Sequence, residues 1–262
     1  CRRLFLHDGA DRGIRRGGLG GSDIAAVLGM DRYRTPRHVW LEKRGEQPDL
    51  PRSAFLEEAG DIGTDMEPWI AQRFARLTGT RIRRVGTLVH DDREWMRVNL
   101  DRRVYDCPDG PCFVECKNKS EYLFDEWRDD VPDEPALQTH WGMAVAGYGH
   151  AHVAALVGGN KFVHYRIDRD DALLADLVGE AGRFWGTVQD PDADPPPVDG
   201  SAASKTLLAH MWQAEPGAIV VLDEADVVPL VARAVELKAE IKAAEAKLAL
   251  AENQLRDLLG PH

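Results

Sequence analysis

Two carboxylates and an ammonium lie near one another in the middle of the chain. Asp101 precedes a β-rich run and a Cys107-Pro108-Asp109-Gly110 turn, after which comes Glu115-Cys116-Lys117. Side chains alternate faces along a strand, so Glu115 and Lys117 point one way while Val114 and Cys116 point the other. Two carboxylates offer oxygen ligands to a hard divalent cation, and Mg²⁺ held this way keeps several waters and takes further oxygens from a substrate phosphate. Such a cation lowers the pKa of its bound water towards about 7, and a neighbouring lysine orients or deprotonates that water. The chemistry expected of the set is hydrolysis of a phosphodiester. An ordinary hairpin with surface charges uses the same residue types, and spacing alone does not separate the two readings.

The elements that must position these groups follow from pattern. A two-residue Asp109-Gly110 loop would leave Asp101 facing away from Glu115. A three-residue Pro108-Asp109-Gly110 loop sets Asp101 opposite Lys117, so an odd-numbered loop or a bulge is expected. Upstream, residues 60–78 read as a helix with Ile62, Met66, Trp69, Ile70, Phe74 and Leu77 on one face, and Glu67 rides on it. Downstream, Pro135 opens a helix of small and apolar residues in which Gln138 and His140 are the polar members. Near the start, glycines 17, 18, 20 and 21 lead into an apolar helix at 21–28, with Ser22 as the expected N-cap. Free backbone N–H groups there would suit a phosphate, although the lysine-bearing signature of a nucleoside-triphosphate loop is absent.

Taken in order, these segments resemble the YqaJ-like viral recombinase family, relatives of phage lambda exonuclease in the PD-(D/E)XK nuclease superfamily. The run from Arg15 through Gly18-Leu19-Gly20-Gly21-Ser22-Asp23-Ile24 looks like the family's opening motif, and Gly63-x-x-x-Glu67 like its helical acid. Asp101 resembles the second-motif acid, Glu115-Cys116-Lys117 the E-x-K, and 138–147 the glutamine-bearing helix. The resemblance implies a Mg²⁺-dependent 5′→3′ exonuclease of double-stranded DNA ends, with Mn²⁺ able to substitute. Such an enzyme makes 3′ single-stranded tails for an annealing protein and works as a homo-oligomer, in some relatives a ring. It implies Asp101 and Glu115 as metal ligands with Glu67 assisting, Lys117 orienting water, and Arg15 and Ser22 gripping the terminal phosphate. Family chains often carry two glutamines separated by one residue, whereas this chain has Gln138 and then His140, which leaves either position open as the working one. Two other readings stand beside this one: an endonuclease of the same superfamily acting on branched or foreign DNA, and a non-catalytic DNA-binding or scaffold protein on the same fold.

Bulk properties fit an intracellular protein, and the resemblance implies a phage-encoded one that acts in the cytoplasm of a bacterial host. The chain has 262 residues, 44% of them hydrophobic, enough for one substantial core and an appendage. No stretch approaches a membrane span, and the first residues resemble no secretory leader. A net charge of −11 argues against non-specific coating of DNA. Arginines cluster locally instead, at 2, 3, 12, 15 and 16 and at 81, 83, 84, 102 and 103, where they are expected to line a DNA channel. Of four cysteines, Cys107, Cys112 and Cys116 fall inside the hairpin. Their spacing matches no usual zinc pattern, and reduced thiols rather than metal ligands are expected.

The element order predicts a PD-(D/E)XK restriction-endonuclease-like α/β core, a mixed central sheet flanked by helices, over residues 1–189. Strands are expected at 80–89, 94–105, 112–118, 151–157 and 161–167, and helices at 21–28, 36–44, 60–78, from 136, and at 170–189. Residues 190–228 read as linker and small connecting elements, opening on the proline- and acid-rich 190–200. Residues 229–262 form a long terminal helix in which Leu230, Leu237, Ile241, Leu248 and Leu255 recur at coiled-coil spacing.

Overall fold

A computed structural model describes residues 4–5, 16–48, 54–213, 215–217, 219–221 and 223–260 of the chain. Its contacts divide into two compact units, Cys1–Trp212 and Gln213–His262. The first unit therefore takes in a helix, α7 (Ala202–Met211), from the segment read as connecting elements.

The main sheet has five strands: β2 (Arg81–Arg83), β5 (Arg102–Tyr105), β6 (Cys112–Lys119), β7 (His150–Val157) and β8 (Lys161–Asp168), in that spatial order. Only β6 and β7 run parallel; every other pair is antiparallel. A parallel pair needs a crossover, and α4 (Phe124–Trp127) and α5 (Asp133–Ala146) supply it. A second, three-stranded sheet pairs β1 (Leu4–Phe5), β3 (Thr87–Val89) and β4 (Arg97–Val98). The mixed sheet flanked by helices is the architecture expected.

Two expected long strands are each broken. Residues 80–89 divide into β2 and β3, and 94–105 into β4 and β5, with the members of each pair in different sheets. The chain leaves one sheet for the other at Asn99–Asp101, so Asp101 lies at the switch and not within a ladder. The β5–β6 pairing runs Arg102↔Val114, Arg103↔Phe113 and Val104↔Cys112. The connection is odd-numbered, as anticipated, but the register is shifted by two residues, which sets Asp101 level with Glu115 and not Lys117. The longer turn is built with Asp106 at φ 60° and Gly110 at φ 105°.

Alternation along β6 builds both layers of the core. Phe113 packs on one face with Trp141 and Met143 of α5 and with Leu19 and Ile24, the latter on α1 (Gly21–Val27). On that face Gly142 lets α5 approach closely, since a Cβ there would come within 2.6 Å of the Phe113 ring. Cys112 and Val114 pack on the other face against Ile70 and Phe74 of α3 (Ala54–Thr78). Of the six apolar residues expected on one face of that helix, Ile70 and Phe74 are fully buried and Met66 partly so. Ile62, Trp69 and Leu77 remain exposed, because α3 meets the sheet along a narrow stripe in its C-terminal half, at Ile70, Ala71 and Phe74. The helix α6 (Asp171–Gln189) is capped by the Asp170 carboxylate, which accepts from the N–H groups of Ala172 and Leu173.

The opening glycine motif is a packing device. Leu19 N–H donates to the Trp95 carbonyl at 2.7 Å, and a Cβ on Gly18 would lie 2.4 Å from that same oxygen. The N-cap of α1 is Gly20, not Ser22; the Asp23 carboxylate accepts the Gly20 N–H at 2.9 Å. With Leu19 and Gly20 N–H both engaged, the expected open cradle for an anion is reduced. Asp23 also takes Lys43 Nζ at 2.6 Å and Arg34 Nη2 at 3.0 Å, tying α1 to α2 (Pro36–Arg44). Burial alone would raise the Asp23 carboxyl, but the charges of Lys43 and Arg34 overcome it and hold the group below its ordinary 3.8.

In the second unit, α8 spans Glu224–Leu259, longer than expected, with Asp223 capping Ala225 and Pro229 inside the helix. A proline early in a helix loses little when the carbonyl it would have served lies in or before the first turns. Among the described residues no helix is long and apolar enough to cross a membrane.

Lys43→Met should leave the buried Asp23 charge short of its closest partner and destabilise the first unit by about 3–5 kcal/mol, read from urea denaturation. The stability that Asp23 contributes is fully present above its unfolded value, near pH 3.8, and should be lost as the pH falls below it.

Candidate active site

Glu115 is only 3% exposed, at the middle of the central strand. A buried carboxylate needs partners, and two reach it through one oxygen: Lys117 Nζ at 2.9 Å and Gln138 Nε2 at 2.6 Å. Lys117 Nζ also donates to Gln138 Oε1 at 2.7 Å, so the three side chains close a triangle. Strand alternation brings Lys117 to Glu115, and α5 lowers Gln138 onto both. Asp101 arrives from the sheet switch, where its Oδ2 accepts the Cys116 N–H at 2.7 Å, two residues beyond the last β5–β6 pair.

These groups line an open cleft together with Gly60, Gly63, Thr64 and Glu67 of α3 and with Asn118 and Lys119 of β6. Gly60 and Gly63 have no neighbours within 4 Å of a would-be Cβ, which keeps that wall open. Burial first, and the adjacent Glu115 charge second, push Asp101 up to about 8. Burial opposes the ammonium of Lys117, yet the charge and hydrogen bond of Glu115 outweigh it and raise the group above its ordinary value. Lys117 is therefore suited to orient water or offset phosphate charge and poorly suited to take a proton at neutral pH. Burial, aided by Lys117, lowers Lys119. Two close carboxylates, one of them strained towards the neutral form, are the arrangement that a divalent cation relieves, so Asp101 and Glu115 fit as its ligands.

The other expected residues divide. Glu67 lines the cleft but is held by the Arg102 guanidinium, with Arg84 at 3.5 Å. Its charge is already matched, which makes it an ion-pair partner at the rim. Gln138 is in the site, whereas His140 is buried away from it with Nδ1 lacking a hydrogen-bond partner among the described residues. Two residues on a helix differ by about 200° in direction, so only one of the pair can face the cleft. Ser22 is exposed, and its neighbour Gly21 rests on Gln138, where a Cβ would lie 3.0 Å from Cγ. Arg15, like arginines 2, 3 and 12, lies outside the described residues. The strand arginines are largely engaged: Arg81 with Asp106, Arg84 and Arg102 with Glu67, and Arg83 and Arg103 over the Tyr105 ring. Lys119 was missed, although the alternation that finds Lys117 reaches it one step further on.

A model of the YqaJ-like viral recombinase domain matches residues 12–149. The chain is 32% identical over 202 residues to the uncharacterized protein YqaJ of Bacillus subtilis (strain 168), a match covering 76% of this chain and 61% of that protein. The chain thus spans less than two thirds of the length of that curated relative. Among solved structures it is similar to the alkaline exonuclease LHK-Exo of Laribacter hongkongensis, with a TM-score of 0.55, 22% identity, and coverage of 68% of this chain and 90% of that one. The same enzyme in complex with dAMP matches with a TM-score of 0.54 and 22% identity, over 67% and 90% of the two chains. At this identity the likeness is one of fold.

The raised Asp101 gives a sign to pH dependence. Its neutral form is favoured in the folded chain, so its contribution is fully present below about pH 3.8 and is lost as the pH rises towards about 8. Thermal melts in EDTA across that window should show stability falling with pH. Asp101→Asn should flatten the slope, and Mg²⁺ should raise the wild-type melting temperature more at high pH than at low.

Proposed function

Since the chain belongs to the YqaJ-like viral recombinase family, we propose that it is a metal-dependent nuclease, a 5′→3′ exonuclease of double-stranded DNA ends that leaves 3′ tails for an annealing protein. The observation that carries this reading is the convergence of Asp101, Glu115, Lys117 and Gln138 in one cleft, from the sheet switch, one strand and a helix. A scaffold would gain nothing from burying a lysine-bridged carboxylate beside a second acid.

Mg²⁺, or Mn²⁺ in its place, would be held by Asp101 and Glu115 and would supply Lewis-acid polarisation of the phosphate and a more acidic water. The chain's own groups do the rest. Lys117 stays charged, orients the attacking water and offsets the charge that develops on phosphate. Gln138 bonds both Lys117 and Glu115, fixing their orientation before substrate arrives. Glu67 keeps Arg102 in place beside Asp101. Lys119 stands on the same face of β6, where it can meet the backbone of the strand being cut. Ser22, next in the chain to the Gly21 that rests on Gln138, would meet the terminal phosphate together with Arg15. The alkaline exonuclease of similar fold has been solved in complex with dAMP, which supports a nucleotide substrate for this chain. The exposed seam of Leu230, Leu237, Ile241, Leu248 and Leu255 on α8 supports self-association through the second unit.

Linear and covalently closed circular duplex DNA, each incubated with Mg²⁺, test the reading. Linear DNA should be degraded and closed circles spared. Glu115→Gln should abolish cleavage with an unchanged circular dichroism spectrum, and Gln138→Leu should lower the rate about 10–100-fold. Cutting of closed circles would indicate an endonuclease. Intact linear DNA with well-folded protein in both Mg²⁺ and Mn²⁺ would remove the catalytic reading.

A further inference from the structure

On the opposite face of the sheet from Glu115 and Lys117, four side chains with soft or nitrogen donors meet. Cys107, Cys112, His150 and His152 each present a ligand atom, all within 4.8 Å of one another. The topology explains the convergence. His150 and His152 alternate on β7 and so share a face. The parallel register Val114↔His152 carries back to set Cys112 beside His150. The long β5–β6 turn, with its positive-φ residues at 106 and 110, folds Cys107 back over them. Asp109 of that turn pairs with Arg166 of β8, holding the loop across β7.

We infer that Cys107, Cys112, His150 and His152 form a structural zinc site, closing four ligands around one Zn²⁺. Tetrahedral Zn²⁺ with sulfur at about 2.3 Å and nitrogen at about 2.0 Å sets sulfur and nitrogen ligands about 3.5 Å apart. The Cys107 Sγ to His150 Nε2 separation is 3.3 Å. Two thiolates and two neutral imidazoles around a dication leave no net charge, which suits a site flanked by apolar side chains. Cys112 is fully buried and His150 nearly so, and Phe74 packs its ring 5.1 Å from that of His152. As a set of thiols and imidazoles alone, the cluster is poorly satisfied. Thiols are weak donors, and Nδ1 of His152 is buried with no hydrogen-bond partner among the described residues. All four positions are protein ligands, so the ion would be structural and not catalytic.

The sequence argued against ligation because three cysteines fall inside the hairpin that carries the site acids, at no usual zinc spacing. The structure removes that objection, since Cys107 and Cys112 serve one face of the hairpin while Glu115 and Lys117 serve the other. Cys116 is not part of the group. The ion would staple the turn end of the β5–β6 hairpin to β7, while Glu115 lies further along β6 and Asp101 just before β5.

Metal analysis of the full chain, purified without chelator and reconstituted with Zn²⁺ under reducing conditions, tests the inference. About one zinc per chain is expected in the wild type. Cys107→Ser and His150→Ala should each reduce this to near zero, while Cys116→Ser and Glu115→Gln keep it, separating this site from the acids of the cleft. Replacement by Co²⁺ should give the thiolate charge-transfer absorption of a tetrahedral sulfur and nitrogen site. Because a variant that loses its ion can also lose its fold, zinc release is read in the wild type as well, where a thiol-specific mercurial should free it. A wild type that takes up no zinc, one that holds iron instead, or zinc retained by both ligand variants would overturn the assignment.

Discussion

The central constraint on this fold is the buried carboxylate of Glu115. A charge that is taken almost wholly out of water needs compensation by opposite charge and hydrogen bonds, or the chain would not keep it there. Lys117 and Gln138 supply both through a single oxygen, and each also binds the other. Asp101 adds a second carboxyl to the same cleft, where burial first and the neighbouring Glu115 charge second push it up to about 8.

Close packing of backbone makes the arrangement possible. Gly142 brings α5 down onto Phe113, and the same approach carries Gln138 to Glu115. Gly21 seats α1 on Gln138, and Gly18 lets the preceding segment lie against Trp95. Larger residues at these points would lift the helices by a few ångströms and lengthen hydrogen bonds that must stay short. The sheet switch between β4 and β5 has a comparable effect: an unbroken strand would have bound Asp101 into a ladder, whereas the bend frees its side chain to take the Cys116 N–H.

Several residues were legible from local pattern, and the failures share a cause. Alternation placed Glu115 and Lys117 on one face, and loop parity brought Asp101 to their side. The register was out by two residues because positive-φ positions at Asp106 and Gly110 support a longer turn than the Pro-Asp-Gly run suggests. Ser22 looked like a cap, but the Asp23 carboxylate made the stronger contact with Gly20. Glu67 was expected to assist the metal, and the fold gives it Arg102 of β5 as an ion-pair partner. The strand arginines read as a basic channel, yet most face an acid or an aromatic ring supplied from elsewhere in the chain.

The sequence by itself determined what period and spacing encode: the mixed α/β class, the order of the elements, the E-x-K strand and the helix that bears Gln138. Those are properties of near neighbours in the chain, set by alternation, helical repeat and turn chemistry. Only the tertiary structure turned Gln138 and not His140 into the cleft, brought Asp101 level with Glu115, gave Glu67 its arginine, and gathered two cysteines and two histidines from a turn and two strands. Each of these depends on distances between residues far apart in sequence. Such distances are fixed by sheet register and helix approach, and no local spacing contains them.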